Sequence, residues 1–517
     1  MAPYRNRLLG SALLLGLSVI PPVMAGGAVP LGDALDELQP AAVWQHFHAL
    51  TRIPRPSHHE DKASALVADF GRRLGLETVV DPVGNVIIRK PASAGMQDRA
   101  GVVLQAHLDM VAQRRADAPG DPRRDPVQAL LDGGWVRADG TTLGADDGIG
   151  VAMIMALLQA GDVAHGPLEA LFTVNEEDGF GGATGLAADA LRGRLLINID
   201  NEVEGQLLIS SAGGVNVEAR ADYPEEPTPD GMTGLQVSVD GLLGGHSGVD
   251  IDKGRASAHQ LLARLLHEAP DGLQMRLASL SGGDQRNAIP RQATALLAVP
   301  TAQLDAWLAH VERFGRSLGA QLAASDPGVA AHGAGVAVPP RVMAASAQQA
   351  LLGAVLAAPQ GVQSMSQKLP GLVETSGNLG VLSIGDGRFS ASVLVRSALD
   401  ERRDEHAQRF AAIFRAAGAT VSLENAYSSW PPNPDSPLVA LMQRVYRERF
   451  GKEAEVAAIH AGLETSVFGR KYPGMDMVSV GPTIRDVHSP DERLEVASVQ
   501  QAYELLVATL RQVPPAP

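Results

Sequence analysis

The sequence predicts an α/β fold, because strand-type apolar runs alternate with segments of helical periodicity. The runs at 102–104, 168–174 and 195–199 are short and apolar, and the segment 151–158 between the first two has helical spacing. Acidic residues or a histidine come soon after each run. Open α/β sheets bind ligands at the carboxyl ends of their strands, so the same pattern predicts where a functional site lies.

The composition is that of an ordinary globular protein. The chain has 517 residues, of which 45% are hydrophobic and 20% are charged, and this length allows more than one domain with its own core. The formal net charge of -15 argues against a surface for nucleic acid or an anionic membrane, because both need clustered Lys and Arg. Cysteine is absent, so any metal must bind His, Asp and Glu.

The N-terminal segment has the order of a secretory signal peptide. Arg5 and Arg7 precede the apolar run Leu8–Ile20, which is followed by two prolines and small residues. The alternative is a membrane anchor, but the run is short for a bilayer. We therefore predict a signal peptide at residues 1–25 and a secreted, periplasmic protein with no membrane association after cleavage. The absence of cysteine fits an oxidising compartment.

Three neighbouring polar residues, His58, His59 and Glu60, follow two prolines and precede a predicted helix. Adjacent residues do not share one face of a helix. We therefore expect a solvated loop here rather than a metal site.

The first two polar signatures are A-H-L-D-M and T-L-G-A-D-D-G-I-G. His107 and Asp109 lie two residues apart at a strand end, so their side chains leave on the same face. The histidine can then bind a metal while the aspartate holds its other ring nitrogen. Asp146 lies at a turn before a helix, where one carboxylate can reach two metals. Asp147 is the alternative ligand, but its position suits the N-cap of that helix, and we assign it this supporting role.

The next two signatures, T-V-N-E-E-D and I-N-I-D-N-E, also follow predicted strands. Glu176 and Glu177 can both turn into one site, one as a metal ligand and the other as a free general base, and the alternative is a solvated acidic turn. Asp200 ends the third strand, and we expect Glu202 beside it to be solvated. His488 follows a strand far downstream and has to fold back to complete the set.

These residue types predict a hydrolase site with two metal ions. Histidine and carboxylate ligands suit Zn²⁺, with Co²⁺ or Mn²⁺ as alternatives. Two such ions held close together polarise a carbonyl group and activate water near neutral pH.

Several motifs resemble those of the aminoacyl-histidine (Xaa-His, carnosinase-like) dipeptidases, a family of co-catalytic di-zinc metallopeptidases. The resemblance extends from about Ala41 to the C-terminus. It rests on Q-A-H-L-D-M-V, A-D-G-T-T-L-G-A-D-D-G-I-G, L-G-G-H-S-G, S-G-G-D-Q-R-N-A-I-P-R, E-T-S-G-N-L-G-V, I-H-A-G-L-E and M-D-M-V-S-V-G-P-T-I-R-D-V-H-S-P-D-E.

The resemblance implies an α/β zinc-peptidase catalytic domain, with a mixed sheet flanked by helices, into which an α+β lid domain is inserted. We place the catalytic domain at residues 36–212 and 433–517 and the lid at 213–432. A helix-strand-strand-helix pattern occurs twice within the lid. The pattern predicts a degenerate internal duplication.

The resemblance also implies a role for each residue of the site. One zinc ion would be held by His107, Asp146 and Asp200. The other would be held by Asp146, Glu177 and His488. Asp109 would orient His107, and Glu176 would take a proton from water and pass it to the leaving amine.

Two positions depart from the pattern expected for the family. We expect the family to carry Asn at Asp147, and smaller uncharged residues at 485–487, where this chain has R-D-V. The added charge of Asp147 would change metal affinity or the pKa of the general base. The residues at 485–487 would change the substrate pocket, and therefore the peptide preference more than the reaction.

Five further residues are candidates for substrate contacts. The resemblance implies that His246 contacts the substrate carbonyl or oxyanion from the lid, in some members from the partner subunit. Arg396 is the best candidate for the substrate carboxylate, which a guanidinium clamps with two hydrogen bonds, and the alternative is a surface arginine on an edge strand. Asn287 is a weaker candidate. We expect His460 and Glu464 to line the site near the substrate amine or carboxylate.

The sequence therefore predicts a metal-dependent dipeptidase, of Xaa-His type or broad specificity, that acts on small peptides and forms a homodimer. The alternatives among enzymes are a related di-zinc deacylase and a tripeptide aminopeptidase. An inactive periplasmic peptide-binding protein is the alternative of another class. It is disfavoured because Glu176 and the other catalytic positions carry residues that can perform the reaction.

Overall fold

The structure is a computed structural model that describes residues 27–516. The predicted signal peptide, residues 1–25, lies outside the described residues. A search of the helices between 27 and 516 for one long and apolar enough to cross a membrane found none.

The helices flank two large sheets. Three short 3-10 helices span Leu31–Asp33, Leu35–Glu37 and Thr301–Gln303. The α-helices are α1 (Ala41–Thr51), α2 (Asp61–Arg73), α3 (Ala145–Gln159), α4 (Gly181–Gly185), α5 (Ala258–His267), α6 (Leu304–Gln321), α7 (Ala345–Ala357), α8 (Asp400–Ala416), α9 (Pro437–Phe450), α10 (Thr465–Lys471) and α11 (Val496–Gln512).

The strands form the two large sheets, a smaller five-stranded sheet and two ribbons. They are β1 (Val29–Pro30), β2 (Glu77–Val80), β3 (Val86–Lys90), β4 (Val102–His107), β5 (Ala129–Asp132), β6 (Trp135–Ala138), β7 (Leu168–Thr173), β8 (Leu195–Asn198), β9 (Gln206–Ser211), β10 (Gly213–Asp222), β11 (Glu225–Pro227), β12 (Met232–Asp240), β13 (Gly245–His246), β14 (Arg276–Gly282), β15 (Ala288–Ile289), β16 (Ala293–Pro300), β17 (Ala330–Val336), β18 (Arg341–Met343), β19 (Gly361–Met365), β20 (Val373–Gly385), β21 (Arg388–Ser397), β22 (Thr420–Tyr427), β23 (Glu455–Ile459), β24 (Asp476–Ser479), β25 (Ile484–Arg485) and β26 (Arg493–Glu495).

The first large sheet has eight strands in the order β2-β3-β7-β4-β8-β24-β9-β23. Its centre is parallel, because β4 runs parallel to both β7 and β8, and β24 runs parallel to β8. The pairing of β3 with β7 is antiparallel, so the sheet is mixed, as implied. His107 ends β4, and the acidic signatures follow β7 and β8 at the same edge. The α/β prediction is confirmed.

The core of this unit is built around α3, which packs between β4 and α1. All its residues from Asp147 to Leu158 are buried, so it has no solvent-facing side, as expected for a helix apolar on every face. A rigid, buried helix therefore supports the turn that carries Asp146.

The second large sheet, in the lid, is antiparallel along its main path, with the order β17-β12-β16-β14-β20-β21-β10-β22. From the middle of the sheet outward, one half consists of β14 and β16, which lie between α5 and α6 in the chain, and then of β12 and β17. The other half consists of β20 and β21, which lie between α7 and α8, and then of β10 and β22. This symmetry supports the predicted internal duplication. The sheet and its helices enclose a separate core that includes Trp307, Phe410 and Phe414. The chain enters the lid near Ser211 and leaves it near Trp430, and these two residues pair in an antiparallel bridge.

Polar side chains set the starts of two helices. The helix expected after His58, His59 and Glu60 begins at Asp61, because His58 has a left-handed φ of 67° and its N–H is held by Glu60. The helix predicted from Val151 begins at Ala145. Asp146 and Asp147 have non-helical torsions there, and Oδ1 of Asp147 accepts from the Gly150 N–H at 3.2 Å. Asp147 thus makes the predicted capping contact.

Candidate metal centre and active site

Five segments of the chain bring the predicted metal ligands together at one edge of the catalytic sheet. In the described chain, three groups have one potential ligand atom per residue, all within 4.8 Å of one another. These groups are His107, Asp146 and Asp200; Asp146, Glu177 and His488; and His107, Glu176 and Glu177. The first two groups match the two predicted ligand sets.

Asp146 lies between the two sets and offers one oxygen to each. Its Oδ1 is 3.0 Å from Nε2 of His107, and its Oδ2 is 3.0 Å from Nε2 of His488. Asp200 approaches the first histidine at 3.5 Å, and Glu177 approaches the second at 3.0 Å. One carboxylate facing two separate donor sets is the arrangement of a two-metal site.

The donor set fits divalent metal ions. Oε1 of Glu177 is buried without a hydrogen-bond partner among the described residues, and a buried carboxylate oxygen in that position is costly. The cluster combines imidazole with carboxylates, which suits zinc, cobalt or manganese rather than the all-oxygen sites of calcium. His107, Asp146, Asp200, Glu177 and His488 are the residues that would hold the metals.

Asp109 connects the first ligand to the acidic turn. Its Oδ1 accepts from the N–H of Glu176 at 2.9 Å, and its Oδ2 accepts from the N–H of Glu177 at 3.1 Å. Nδ1 of His107 is 3.5 Å from Oδ1, and the hydroxyl of Ser57 donates to Oδ2 at 2.8 Å. These contacts fit the orienting role that the resemblance implies for Asp109.

His246 and Arg396 meet at the lid side of the site. Nδ1 of His246 accepts from the N–H groups of Gly248 and Val249, both at 3.2 Å, so the proton of the neutral ring is on Nε2. This nitrogen is 3.4 Å from Nη2 of Arg396. Both atoms are donors, so the contact is not a hydrogen bond, and one acceptor placed beside them could bind both.

The other three predicted substrate residues differ in their exposure to solvent and in their hydrogen-bond partners. The side chain of Asn287 is exposed, and its carbonyl accepts from the N–H of Ser247. His460 is buried and lies 2.7 Å from the hydroxyl of Ser376 in the lid. Glu464 is fully buried beneath β4 and β7, and accepts from Gln105 and from Thr173, both at 2.6 Å. Its carboxylate is enclosed in this structure, and the predicted substrate contact stays a prediction.

Comparisons with known proteins agree with this geometry. The model of peptidase family M20/M25/M40 matches residues 103–512. This chain belongs to that family. It is 39% identical to the cytosol non-specific dipeptidase of Escherichia coli K12 over 480 residues, which are 93% of this chain and 99% of that protein.

Solved structures give the same result for this M20 peptidase. The aminoacylhistidine dipeptidase of Vibrio alginolyticus superimposes with a TM-score of 0.83 at 38% identity, covering 93% of this chain and 99% of that one. The aminopeptidase PepT of Bacillus cereus shares the fold, with a TM-score of 0.53 at 16% identity and coverage of 92% and 99%. The predicted fold and family are confirmed.

One prediction from the N-terminal sequence is corrected by these relatives. The E. coli relative matches this M20 peptidase along 93% of the chain and is named a cytosol enzyme. The predicted secreted, periplasmic location is therefore wrong. A short pattern of basic, apolar and small residues is a compositional signal, and agreement over nearly the whole chain outweighs it.

Two buried residues that were given no role in the sequence analysis hold the turn of Asp146. The carboxylate of Glu492 accepts from the backbone N–H groups of Leu143, Gly144 and Ala145 at 2.8, 3.1 and 2.7 Å. Glu492 lies four residues after His488, at the end of the H-S-P-D-E sequence. Its closeness to a predicted metal ligand was the sequence signal for this role.

Arg55 is the second of these residues and is 1% exposed. Its Nη1 donates to the carbonyls of Leu108 and Asp109, both at 2.8 Å, and its Nη2 donates to the carbonyl of Gly144. Burial lowers its pKa, although the carboxylates of the site oppose this. The guanidinium places positive charge under the acidic cluster and joins the loops of His107 and Asp146. A lone Arg between two prolines gave no sequence signal for this role.

The surroundings of Asp147 reduce the negative charge that this residue adds to the site. Its side chain is 1% exposed, and burial together with the charge of Asp200 raises its pKa well above the usual range. Burial and the charge of Asp200 both favour the neutral form of the side chain, which resembles the Asn expected in the family. In the R-D-V segment, Arg485 and Asp486 are exposed, and Asp486 pairs with Arg493 at 3.3 Å.

Glu202 was expected to be solvated, but the residue is half-buried. The segment before His488 lies against its backbone, since the N–H of Ile484 donates to the Glu202 carbonyl at 3.0 Å. Burial, with the charges of Asp146 and Asp200, raises the pKa of Glu202 to about 8. The site therefore contains more buried acid than the ligands alone.

Without metal, this M20 peptidase should become less stable as the pH rises. Burial raises the pKa of Asp200 to about 7 and that of Glu202 to about 8, above the values of about 4 in an unfolded chain. Between about pH 4 and these raised pKa values, the folded chain binds more protons than the unfolded chain. The stability that these protons contribute is fully present below about pH 4 and is lost as the pH rises past about 7 to 8. We expect the melting temperature with chelator to fall between about pH 5.5 and 8.

Metal should replace those protons, so the rise in melting temperature on adding zinc should be larger at the upper pH. Calorimetry of the same preparation with chelator and with zinc measures both trends. A melting temperature that climbs with pH in chelator would contradict this account.

Proposed function

We propose that this M20 peptidase is a metal-dependent dipeptidase that recognises the free carboxylate of its substrate. The observation that carries the proposal is the pair of donors from the lid, Nε2 of His246 and Nη2 of Arg396, 3.4 Å apart. Arg396 is 6% exposed, and its Nε has no partner among the described residues. A buried cation with an unsatisfied donor is suited to bind an anion.

The spacing of the two donors supports dipeptides over longer peptides. In a dipeptide, one residue separates the scissile carbonyl from the terminal carboxylate, and a residue spans at most about 3.6 Å. A donor to the carbonyl and a donor to the carboxylate must then be neighbours, as these two are. A second residue after the scissile bond would carry the carboxylate beyond Arg396.

The ionisation of His246 supports its role as a neutral donor. Burial and the charge of Arg396 lower its pKa to about 4, so the ring is uncharged near neutral pH. Its Nε2–H then donates to the carbonyl oxygen, where negative charge develops during attack.

The remaining steps fall to the acidic turn. Burial raises the pKa of Glu176 well above its usual value, although the charge of His107 opposes this. A carboxylate with a raised pKa can take a proton from the attacking water and give it to the leaving amine. Asp109 keeps this turn in place. The metals, when bound, polarise the carbonyl and favour ionisation of the water.

Several finer points belong to the same proposal. Zinc is the metal we propose, with cobalt or manganese as alternatives, because of the imidazole and carboxylate ligands. The relatives named a non-specific and an aminoacylhistidine dipeptidase support both broad and Xaa-His preference. We keep the catalytic domain at 36–212 and 433–517, the lid at 213–432, and a homodimer as proposals.

A substrate panel tests the proposed function. Metal-stripped protein, before and after zinc is restored, is assayed with Ala-His, β-Ala-His, Ala-Leu, Ala-Ala-His and N-acetyl-histidine. We expect zinc-dependent cleavage of dipeptides, with kcat/KM for the tripeptide lower by about tenfold or more, as for loss of a charge-assisted hydrogen bond.

The alternatives predict other results in the same assay. Preference for N-acetyl-histidine would favour the deacylase, and preference for Ala-Ala-His would favour the tripeptide aminopeptidase. Binding without cleavage of any compound would favour the peptide-binding protein.

The role of Glu176 has its own test. Glu176→Gln keeps the shape of the side chain but removes the base, and kcat should fall by about 100- to 10,000-fold while zinc content stays the same. The matched control is Asp178→Asn, in the same turn, where an exposed carboxylate pairs only with His58 among the described residues. Activity of Glu176→Gln close to that of the control would exclude the role.

A further inference from the structure

Tyr427 stands at the junction of the lid and the catalytic domain. It is the last residue of β22, and its hydroxyl accepts from Nη1 of Arg396 at 2.9 Å. Its ring packs edge-on against Phe180, with centroids 5.4 Å apart.

The ring occupies a space that the surrounding backbone leaves for it. A Cβ at Gly214, where the chain enters the lid, would lie 2.5 Å from the Tyr427 ring. A Cβ at Gly462 would lie 3.1 Å from the same ring and 2.7 Å from that of Phe180. Side chains at either glycine would displace the tyrosine, so its position is closely defined.

The hydrogen bond determines which edge of Arg396 remains free. Tyr427 engages Nη1, while Nε has no partner among the described residues and Nη2 faces His246. Nε and Nη2 form one edge of the planar guanidinium and can bind both oxygens of a carboxylate together. The tyrosine therefore holds the guanidinium with this edge unpaired and with Nη2 facing His246.

The ring links the same arginine to the acidic turn. Phe180 follows Glu176 in that turn, and its N–H donates to the carbonyl of Glu176 at 3.0 Å. Through Phe180 and Arg396, the tyrosine contacts both the segment that bears the base and the group proposed to bind the carboxylate. It thus sets their relative position.

We propose that Tyr427 is a positioning residue that determines specificity: its hydroxyl fixes the guanidinium of Arg396, and so restricts cleavage to peptides whose free carboxylate lies one residue beyond the scissile bond. This inference rests on the proposed function, because Arg396 must bind the carboxylate.

The test is Tyr427→Phe in the zinc-loaded full-length protein, assayed with Ala-His and with its C-terminal amide. We expect kcat/KM for Ala-His to fall about tenfold, mainly through KM, as for one hydrogen bond to a charged group. Cleavage of the amide should change less than twofold, because it has no carboxylate to position. The preference for acid over amide should therefore fall about tenfold. Equal losses on both substrates would overturn the proposal, since a general structural defect affects both.

Two further variants complete the experiment. Tyr472→Phe is the matched control, because this buried tyrosine belongs to the same apolar cluster and its hydroxyl donates to the carbonyl of Ala187; it should leave the acid-to-amide preference unchanged. Arg396→Met should abolish that preference. If it does not, the carboxylate role of Arg396 fails and the proposed function with it. If Arg396→Met abolishes the preference and Tyr427→Phe retains it, only the role of Tyr427 fails.

Discussion

The repulsion among partly buried carboxylates is the constraint on which the rest of this structure depends. Asp146, Asp200, Glu176, Glu177 and Glu202 are close together at the edge of one sheet, and bringing such charges out of water is costly unless cations accompany them. In the protein itself, positive charge comes from the two histidines and Arg55. The side chain of His488 is half exposed. Partial desolvation opposes its protonation, yet its hydrogen bonds to Asp146 and Glu177 outweigh this and raise its pKa to about 12. Two divalent ions would satisfy the same requirement directly.

The surrounding structure holds this cluster in place. The buried α3 fixes the turn of Asp146 from below, Glu492 binds the N–H groups of that turn, and Arg55 ties it to the loop of His107. His488 and Asn175 have left-handed φ values of 60° and 54°, which are unfavourable for residues with a side chain and are found often at functional sites. The contacts around the site therefore offset the unfavourable free energy of bringing these carboxylates together.

Much of this could be predicted from the sequence, because strand ends and ligand types are local signals. The runs before His107 and Asp200 became adjacent parallel strands, and the repeated series in the lid became the two halves of one sheet. The burial of Arg55, Glu202 and Glu464 could not be predicted, because it depends on segments that lie from 53 to 359 residues away in the sequence. The location was misjudged because its signal was composition alone. The roles of the site residues stay predictions that follow from this geometry.

The central claim is that Asp146 is shared between two metal ions. An anomalous difference map, measured at the zinc absorption edge on crystals of zinc-loaded protein, tests it most directly. The account predicts two peaks on either side of Asp146, one beside His107 and Asp200 and the other beside Glu177 and His488. A single peak, or a second peak away from this carboxylate, would contradict it.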